Sequence, residues 1–490
     1  NTPGERTRYF LLICYLLGLT LANHTTSLMF IPVLLGFALT EAPRFFLSLR
    51  RWITGLGMFL LGLTPYLYLP LSSARDPWMD WGDPETLTNF IRTITRHQYG
   101  LPEGQTWGKF LAELGAYGEL LGQQWWGTPV VLLLALVGLM ALFRHRRSYG
   151  VLFLLFFLFA GPVTTYVTHF DVTMGDAFAA AENKALVSVF YIPSYLCLGM
   201  LAGTGMFEAW RRLPIPALRY LLAGMVGILV VGSAAHNYRQ LDMSRYTFTE
   251  DYAHNLFTVV PENGVVFANW DPYYFPLNYY QFVEQRRRDI IALDQQLLRR
   301  SWYIQWLKDH YPEFVAPALP EIDAFLKAVA PFENRQPYDG NYIQQCYIGM
   351  INALIDRALE AGRPVYFTYL PTPDILRHRA LESAVVAFRL KNRGDPITPV
   401  PLEQLRFRHF FDDAVPLDRM ARVFRAYYGR LMFARGEQQA MRQQWESARA
   451  LFLQAMKFLR DDPAAVQRVQ VALSTLEDLR KSFSDRAVPR

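Results

Sequence analysis

Two carboxylates flank an indole at Asp80-Trp81-Gly82-Asp83. An aromatic face can stack on a sugar ring and a carboxylate can accept its hydroxyls, so this quartet has the chemistry of a carbohydrate contact. A capped helix resting on a surface would use the same residues, because Asp83-Pro84-Glu85 also reads as a helix start running to about His97. Asn23-His24 is the second polar feature, set inside a long uncharged run. Polar groups at membrane depth face a cavity or another helix; the alternative is a hairpin turn with its polar groups among headgroups. Asp271 stands at the carboxyl end of a predicted strand, where α/β sheets often bind ligands, but the reading favoured is an N-cap before Pro272.

Other chemistries find no support. There is no GxGxxG after a strand, no P-loop, no HExxH and no GxSxG. The nine histidines show no pair at ligand spacing, and Cys14, Cys197 and Cys346 form no CxxC motif, so neither a metal site nor a cofactor is expected. The net charge is only +6, from 49 basic and 43 acidic residues, without a basic patch interleaved with aromatics. Nucleic acid is therefore not an expected partner.

The elements that must position these residues fall into two halves. Charged residues make up 19% of the 490 and aromatics 15%, and the low charge is concentrated before about residue 240. Seven apolar segments lie there, near 9–22, 25–40, 53–71, 127–143, 149–168, 185–207 and 219–235. Tyr9 to Thr40 carries no charge. About 32 residues of helix would reach about 48 Å, too long for one crossing, so a tight hairpin turning at Asn23-His24 is predicted. Arg6 and Arg8, then Arg44, Arg50 and Arg51, then Arg144, Arg146 and Arg147, then Arg211, Arg212 and Arg219 fall on one side if the spans alternate. That side is expected to be cytoplasmic, with loops 72–126 and 169–184 and the carboxyl-terminal half outside a multi-pass plasma (inner) membrane.

Residues 1–240 thus read as a transmembrane domain with the external loop 72–126. Residues 241–415 read as an external α/β domain, with strands at Gly264–Trp270, Asp289–Leu293 and Pro364–Tyr369 separated by helices. Residues 416–490 read as a helical tail. There Trp445, Ala448, Phe452, Ala455 and Pro463 fit one tetratricopeptide-like helical pair, although stable arrays need about three repeats.

Several stretches together resemble one family. They are Gly18-Leu19-Thr20-Leu21-Ala22-Asn23-His24-Thr25-Thr26 with Pro32, Tyr68-Leu69-Pro70-Leu71-Ser72-Ser73-Ala74 continuing to Asp80-Trp81-Gly82-Asp83-Pro84, Arg96-His97-Gln98-Tyr99-Gly100, and Phe190-Tyr191-Ile192-Pro193-Ser194-Tyr195. Asp251-Tyr252, Phe275-Pro276-Leu277, Tyr280, Arg288-Asp289 and Trp302-Tyr303 add to it. The chain resembles the protein O-mannosyltransferase-like group of multi-spanning membrane proteins, which is similar to GT-C glycosyltransferases, over roughly residues 8–310. The resemblance implies a GT-C-like helical bundle that transfers a sugar, mannose among the candidates, from a polyprenyl-phosphate donor to an external protein or glycan acceptor.

It also implies direct displacement at the anomeric carbon, with a carboxylate as general base in an early external loop. The first external turn here, Asn23-His24-Thr25-Thr26, has no carboxylate, so no residue takes that role; Asp80 and Asp83 are weak candidates. Asn23 and His24 match the family motif and are candidates for contact with phosphate or acceptor, as are Arg75 for phosphate and Trp81, Gln98 and Tyr99 for substrate. The missing carboxylate, the opening Asn1 and the internal-loop look of Arg6 and Arg8 lead to the expectation that this is the later part of a longer transferase. A non-catalytic scaffold for envelope glycan assembly and a lipid-linked sugar transporter stay open as alternatives.

Overall fold

The computed structural model describes residues 3–97, 104–125, 127–173, 177–269 and 271–487. They divide into two units: residues 1–75 with 84–241, and Asp76–Asp83 with Asp242–Arg490.

The first unit is helical. Among the described residues, four of its helices are long and apolar enough to cross a membrane, Thr128–His145, Arg147–Thr168, Asn183–Arg212 and Pro216–Tyr238. Leu49–Gly62 and Thr64–Ser73, bent by 41°, make a fifth if counted as one span, and Thr25–Glu41 is a shorter apolar helix. The seven apolar segments of the sequence therefore yield four or five helices of spanning length. The hairpin segment forms helix Pro3–Asn23, a 3-10 turn Thr25–Met29 and helix Phe30–Glu41.

Small residues let these helices touch at backbone distance, the favoured contact where lipid removes the hydrophobic drive for association. Between Thr128–His145 and Ile192–Arg212, a Cβ on Gly138 would lie 2.0 Å from the Leu201 carbonyl oxygen, and one on Gly205 would lie 1.8 Å from that of Leu134. Only glycine fits either position.

Loop 72–126 departs from expectation. The helix predicted from Asp83 runs Leu87–Ile94 and is capped by Thr86, whose hydroxyl accepts from the Asn89 N–H at 3.2 Å. A second helix, Trp107–Gly122, was not predicted at all.

The second unit holds five short strands, β1 Val265–Ala268, β2 Ile291–Asp294, β3 Val365–Phe367, β4 Ala380–Ser383 and β5 Phe388–Lys391. Their order is β2-β1-β3-β5-β4. The first three are parallel, with Val265 opposite Ile291 on one side and Val365 on the other; β5 pairs antiparallel with β3 and β4. All residues of β1, β2 and β3 are buried, which explains why they read as unbroken apolar runs. The hairpin β4–β5 was missed because its residues, Ala380-Leu381-Glu382-Ser383 and Phe388-Arg389-Leu390-Lys391, carry charges that look exposed.

Those charges are paired inside. Glu382 and Arg435 form a salt bridge with side chains 2% and 4% exposed, tying β4 to helix Arg419–Ala440. Asp251, fully buried, accepts from the Arg408 N–H at 2.8 Å and from its Nε at 2.7 Å, fastening helix Phe248–Val259 to the chain after residue 400. Helices Arg419–Ala440, Trp445–Phe458 and Pro463–Ala487 close the unit, and their Ala448, Phe452 and Ala455 join the same core as the sheet.

Gly205→Leu is expected to force the helix pair apart, at a cost of about 1–3 kcal/mol or more. A markedly lower thermal midpoint in detergent would show it. Arg435→Met leaves the Glu382 carboxylate buried without its guanidinium and should cost roughly 3 kcal/mol. Adding Glu382→Gln should restore most of the lost midpoint, because the stranded charge is then gone.

Candidate functional site

Helix Trp107–Gly122 starts on Thr106, whose hydroxyl accepts from the Lys109 N–H at 3.3 Å. Lys109, Glu113 and Tyr117 follow at intervals of four, so they share one face of the helix. That face meets the end of the span Arg147–Thr168 and the start of helix Ile192–Arg212. The Glu113 Oε1 lies 2.9 Å from the His169 Nδ1, with the two side chains 4% and 5% exposed. The second carboxylate oxygen accepts from Gln105 Nε2 at 3.0 Å. Gln105 Oε1 is buried without a hydrogen-bond partner among the described residues. One turn on, the Tyr117 hydroxyl donates to Ser194 Oγ at 3.0 Å, and Tyr117 packs with Tyr191 at 4.6 Å between ring centroids.

The span that delivers His169 is irregular there. Residues Phe159–Val163 form a π-turn containing Pro162, the kind of defect that recurs at functional sites. The freed carbonyls are recovered by side chains: Thr164 Oγ1 donates to Phe159 O at 2.7 Å and Thr165 Oγ1 lies 3.1 Å from Gly161 O. Thr165 also meets the Tyr191 hydroxyl at 3.1 Å. The turn brings Gly161 under Tyr117, so close that a Cβ would lie 2.8 Å from the phenol oxygen. The helix ends on His169 with φ 42°, a left-handed backbone that costs a non-glycine residue about 1–3 kcal/mol and persists only where its surroundings impose it. Here the buried partner is Glu113.

Lys109 extends the same face to Asp171, Nζ to Oδ2 2.7 Å. That ammonium, joined by the hydroxyl and N–H of Thr173, holds the Asp171 carboxyl down to about 2. Lys184 pairs with Glu119 further along the helix.

The Asn23-His24 turn belongs to this neighbourhood. His24 caps the 3-10 turn, its Nδ1 accepting from the Thr26 N–H at 3.3 Å and lying 2.8 Å from Thr26 Oγ1. Its ring is 5.7 Å from Phe190, which stacks on Phe170 at 5.9 Å, the residue after His169. His24 and His169 are thus joined by an aromatic wall of two rings. Arg75 is exposed, following helix Tyr68–Ser73, with its N–H on Ser72 O at 3.1 Å.

Asp80, Trp81 and Asp83 belong to the second unit. The Trp81 ring lies 5.2 Å from that of Trp302 and 6.4 Å from that of Phe275. Gln98 and Tyr99 lie outside the described residues. The residues singled out in the sequence are therefore divided between two units, and the buried pair Glu113–His169 was missed. The signal available was the four-residue spacing of Lys109, Glu113 and Tyr117 in an otherwise apolar stretch, together with His169 at the end of a charge-free run. Among the described residues no group of three or more His, Cys, Asp or Glu could hold a metal ion.

Comparison with known proteins adds the following. A family model described as TMEM260-associated domain 2 matches residues 249–320. The mouse protein named Protein O-mannosyl-transferase TMEM260 is 25% identical over 324 residues, covering 63% of this chain and 44% of that protein. A Dictyostelium discoideum protein named Protein O-mannosyl-transferase tmem260 is 24% identical over 329 residues, covering 61% of this chain and 39% of its own length. The chain spans less than half the length of these curated relatives. No solved structure matches. These homologues support the resemblance to an O-mannosyltransferase-like family.

The low Asp171 pKa gives a pH test. A depressed carboxyl contributes stability that is fully present above the ordinary value near 4 and is lost as pH falls toward about 2. The gap in thermal midpoint between the protein and its Asp171→Asn variant should be constant from pH 5 to 8 and shrink below pH 4. The gap should be small, since the pair is partly exposed and screened by salt.

Proposed function

We propose, from its homology to proteins named protein O-mannosyl-transferases, that this chain serves the transfer of a sugar, mannose first among candidates, from a polyprenyl-phosphate donor to an acceptor hydroxyl. The observation that carries this reading is that homology, which extends over 63% and 61% of the chain in two distant organisms. The arrangement around Glu113 supports it. In this reading seven segments enter the membrane, and the arginine clusters mark its cytoplasmic side. His169 lies at the opposite end of its span from Arg146 and Arg147, which supports an external position for Glu113 and His169.

Transfer needs three things of the protein: a base for the acceptor proton, groups that steady the leaving phosphate, and exclusion of water. Glu113 fixes the His169 ring through Nδ1 and so favours the tautomer whose Nε2 is a lone-pair acceptor. The acceptor O–H passes its proton to that nitrogen while its oxygen attacks the anomeric carbon. The bond from that carbon to phosphate oxygen breaks, and its electron pair leaves on the phosphate. Asn23, His24 and Arg75 are the proposed phosphate and acceptor contacts on this unit, and Gln98 and Tyr99 are proposed as substrate contacts from the sequence alone. Asp80 and Asp83 lie in the other unit and are assigned no step of this transfer.

Membranes containing the protein, given a radiolabelled polyprenyl-phosphate mannose, should label a protein or glycan acceptor. Glu113→Gln and His169→Ala should each lower kcat/KM by about 10²–10⁴-fold. Added imidazole should restore part of the activity of His169→Ala and none of that of Glu113→Gln. Full activity in both variants would remove the pair from the mechanism, and the absence of any sugar transfer by the unaltered protein would count against the function itself.

A further inference from the structure

Parallel sheets bind ligands outside the carboxyl ends of their strands, where neighbouring connections run off in opposite directions. In the second unit that point lies between β1 and β3. The chain leaves β1 to form β2 on one side and only later returns to add β3 on the other. The residues delivered there are Asn269 after β1, Gln295 and Gln296 after β2, and Thr368 and Tyr369 after β3.

These residues are held together. The Thr368 hydroxyl accepts from the Asn269 N–H at 3.3 Å, and the Tyr347 hydroxyl donates to Gln295 O at 2.8 Å. Arg299 lies 3.9 Å over the Tyr347 ring and donates to Gln344 Oε1 at 3.1 Å. Tyr369 reaches into this group: burial first, then the nearby Tyr347 and Asp294, push its phenol pKa up, against the pull of Arg299. Yet its hydroxyl is sealed from solvent and has no hydrogen-bond partner among the described residues. A buried unsatisfied hydroxyl in a native fold calls for an explanation, and a ligand is one.

The chemistry of the edge is mostly neutral. The Asp294 carboxylate is spent on the N–H groups of Gln296 and Leu297, both at 2.8 Å, and Arg299 on Gln344 and the Tyr347 face. What the edge holds is the amides of Gln296 and Asn269, with Gln296 Nε2 3.5 Å from Asn269 Oδ1, and the enclosed Tyr369 hydroxyl, groups that can both donate and accept. Trp81 lies against Trp302 and Phe275, which stand in the helices that follow β2 and β1. An indole is thereby added at the same edge of the sheet.

We propose that this carboxyl-edge crevice binds a neutral saccharide, with Asn269, Gln296 and Tyr369 hydrogen-bonding its hydroxyls and Trp81 at its rim. The proposal rests on the sugar-transfer reading only for the identity of the sugar; binding itself needs neither donor nor turnover.

The test titrates the whole protein in detergent with mannotriose, following indole fluorescence and, in parallel, ligand-observed NMR. Saturable binding is expected, weakened at least tenfold by Asn269→Ala combined with Gln296→Ala. Tyr369→Phe separates a ligand role from a structural one. Removing an unpartnered buried hydroxyl should leave the thermal midpoint equal or higher while binding weakens. Inorganic phosphate, offered because Arg300 follows on the same loop, should not compete. Unchanged affinity in all these variants, no saturation by mannotriose at millimolar concentration, or competition by phosphate would each overturn the proposal. If binding is lost in these variants while labelled-mannose transfer in membranes is also absent from the unaltered protein, the crevice stands and the transferase reading falls.

Discussion

A charged or polar group removed from water must find its partner inside the protein, and this constraint organises both units. In the first it is severe. A carboxylate as enclosed as Glu113 costs several kcal/mol unless compensated. Its two oxygens are met by His169 and Gln105, which fixes where helix Trp107–Gly122 lies against the end of the span Arg147–Thr168. The π-turn, the threonines that recover its carbonyls and the left-handed His169 follow from the same need. They re-aim the end of a helix so that one imidazole reaches one carboxylate.

Close helix contact is the complementary device. Where solvent does not drive apolar faces together, stability comes from backbone approach, and Gly138 and Gly205 supply it between Thr128–His145 and Ile192–Arg212. The second helix of that pair carries Ser194, the partner of Tyr117. Tight packing at one level of the bundle thus sets the register of the polar centre at another.

In the second unit the constraint takes a different form. A sheet with all of β1, β2 and β3 buried has no polar face to spare, so its polar groups gather at strand ends and in buried pairs such as Glu382–Arg435 and Asp251–Arg408. Eight residues from the loop after Ser73, Asp76–Asp83, join this unit through Trp78 stacked on Phe282 and Trp81 against Trp302. A sequence interval that belongs by position to the membrane half belongs by packing to the other.

The sequence by itself determined what depends on composition and local period. Charge-free runs gave the apolar helices, short apolar runs gave β1, β2 and β3, and motifs spread along the chain gave a family resemblance that the homologues support. Four of the seven apolar segments form helices long and apolar enough to span, and the segment near 53–71 is a pair, Leu49–Gly62 and Thr64–Ser73, whose bend of 41° hydropathy does not register. Strands β4 and β5 were illegible, since a buried Glu382 looks solvated until Arg435, fifty-three residues later, is known to cover it. The candidate site divides in the same way. Asn23 and His24 could be singled out locally, as polar residues in an apolar run. Glu113 and His169 each carry a local signal, but fifty-six residues separate them, so their pairing could not be read from either. Only the tertiary structure decides that a lysine, a carboxylate and a tyrosine on one helical face meet an aspartate, an imidazole and a serine from two others, because pairing across such distances is a property of the packed chain and not of any window within it.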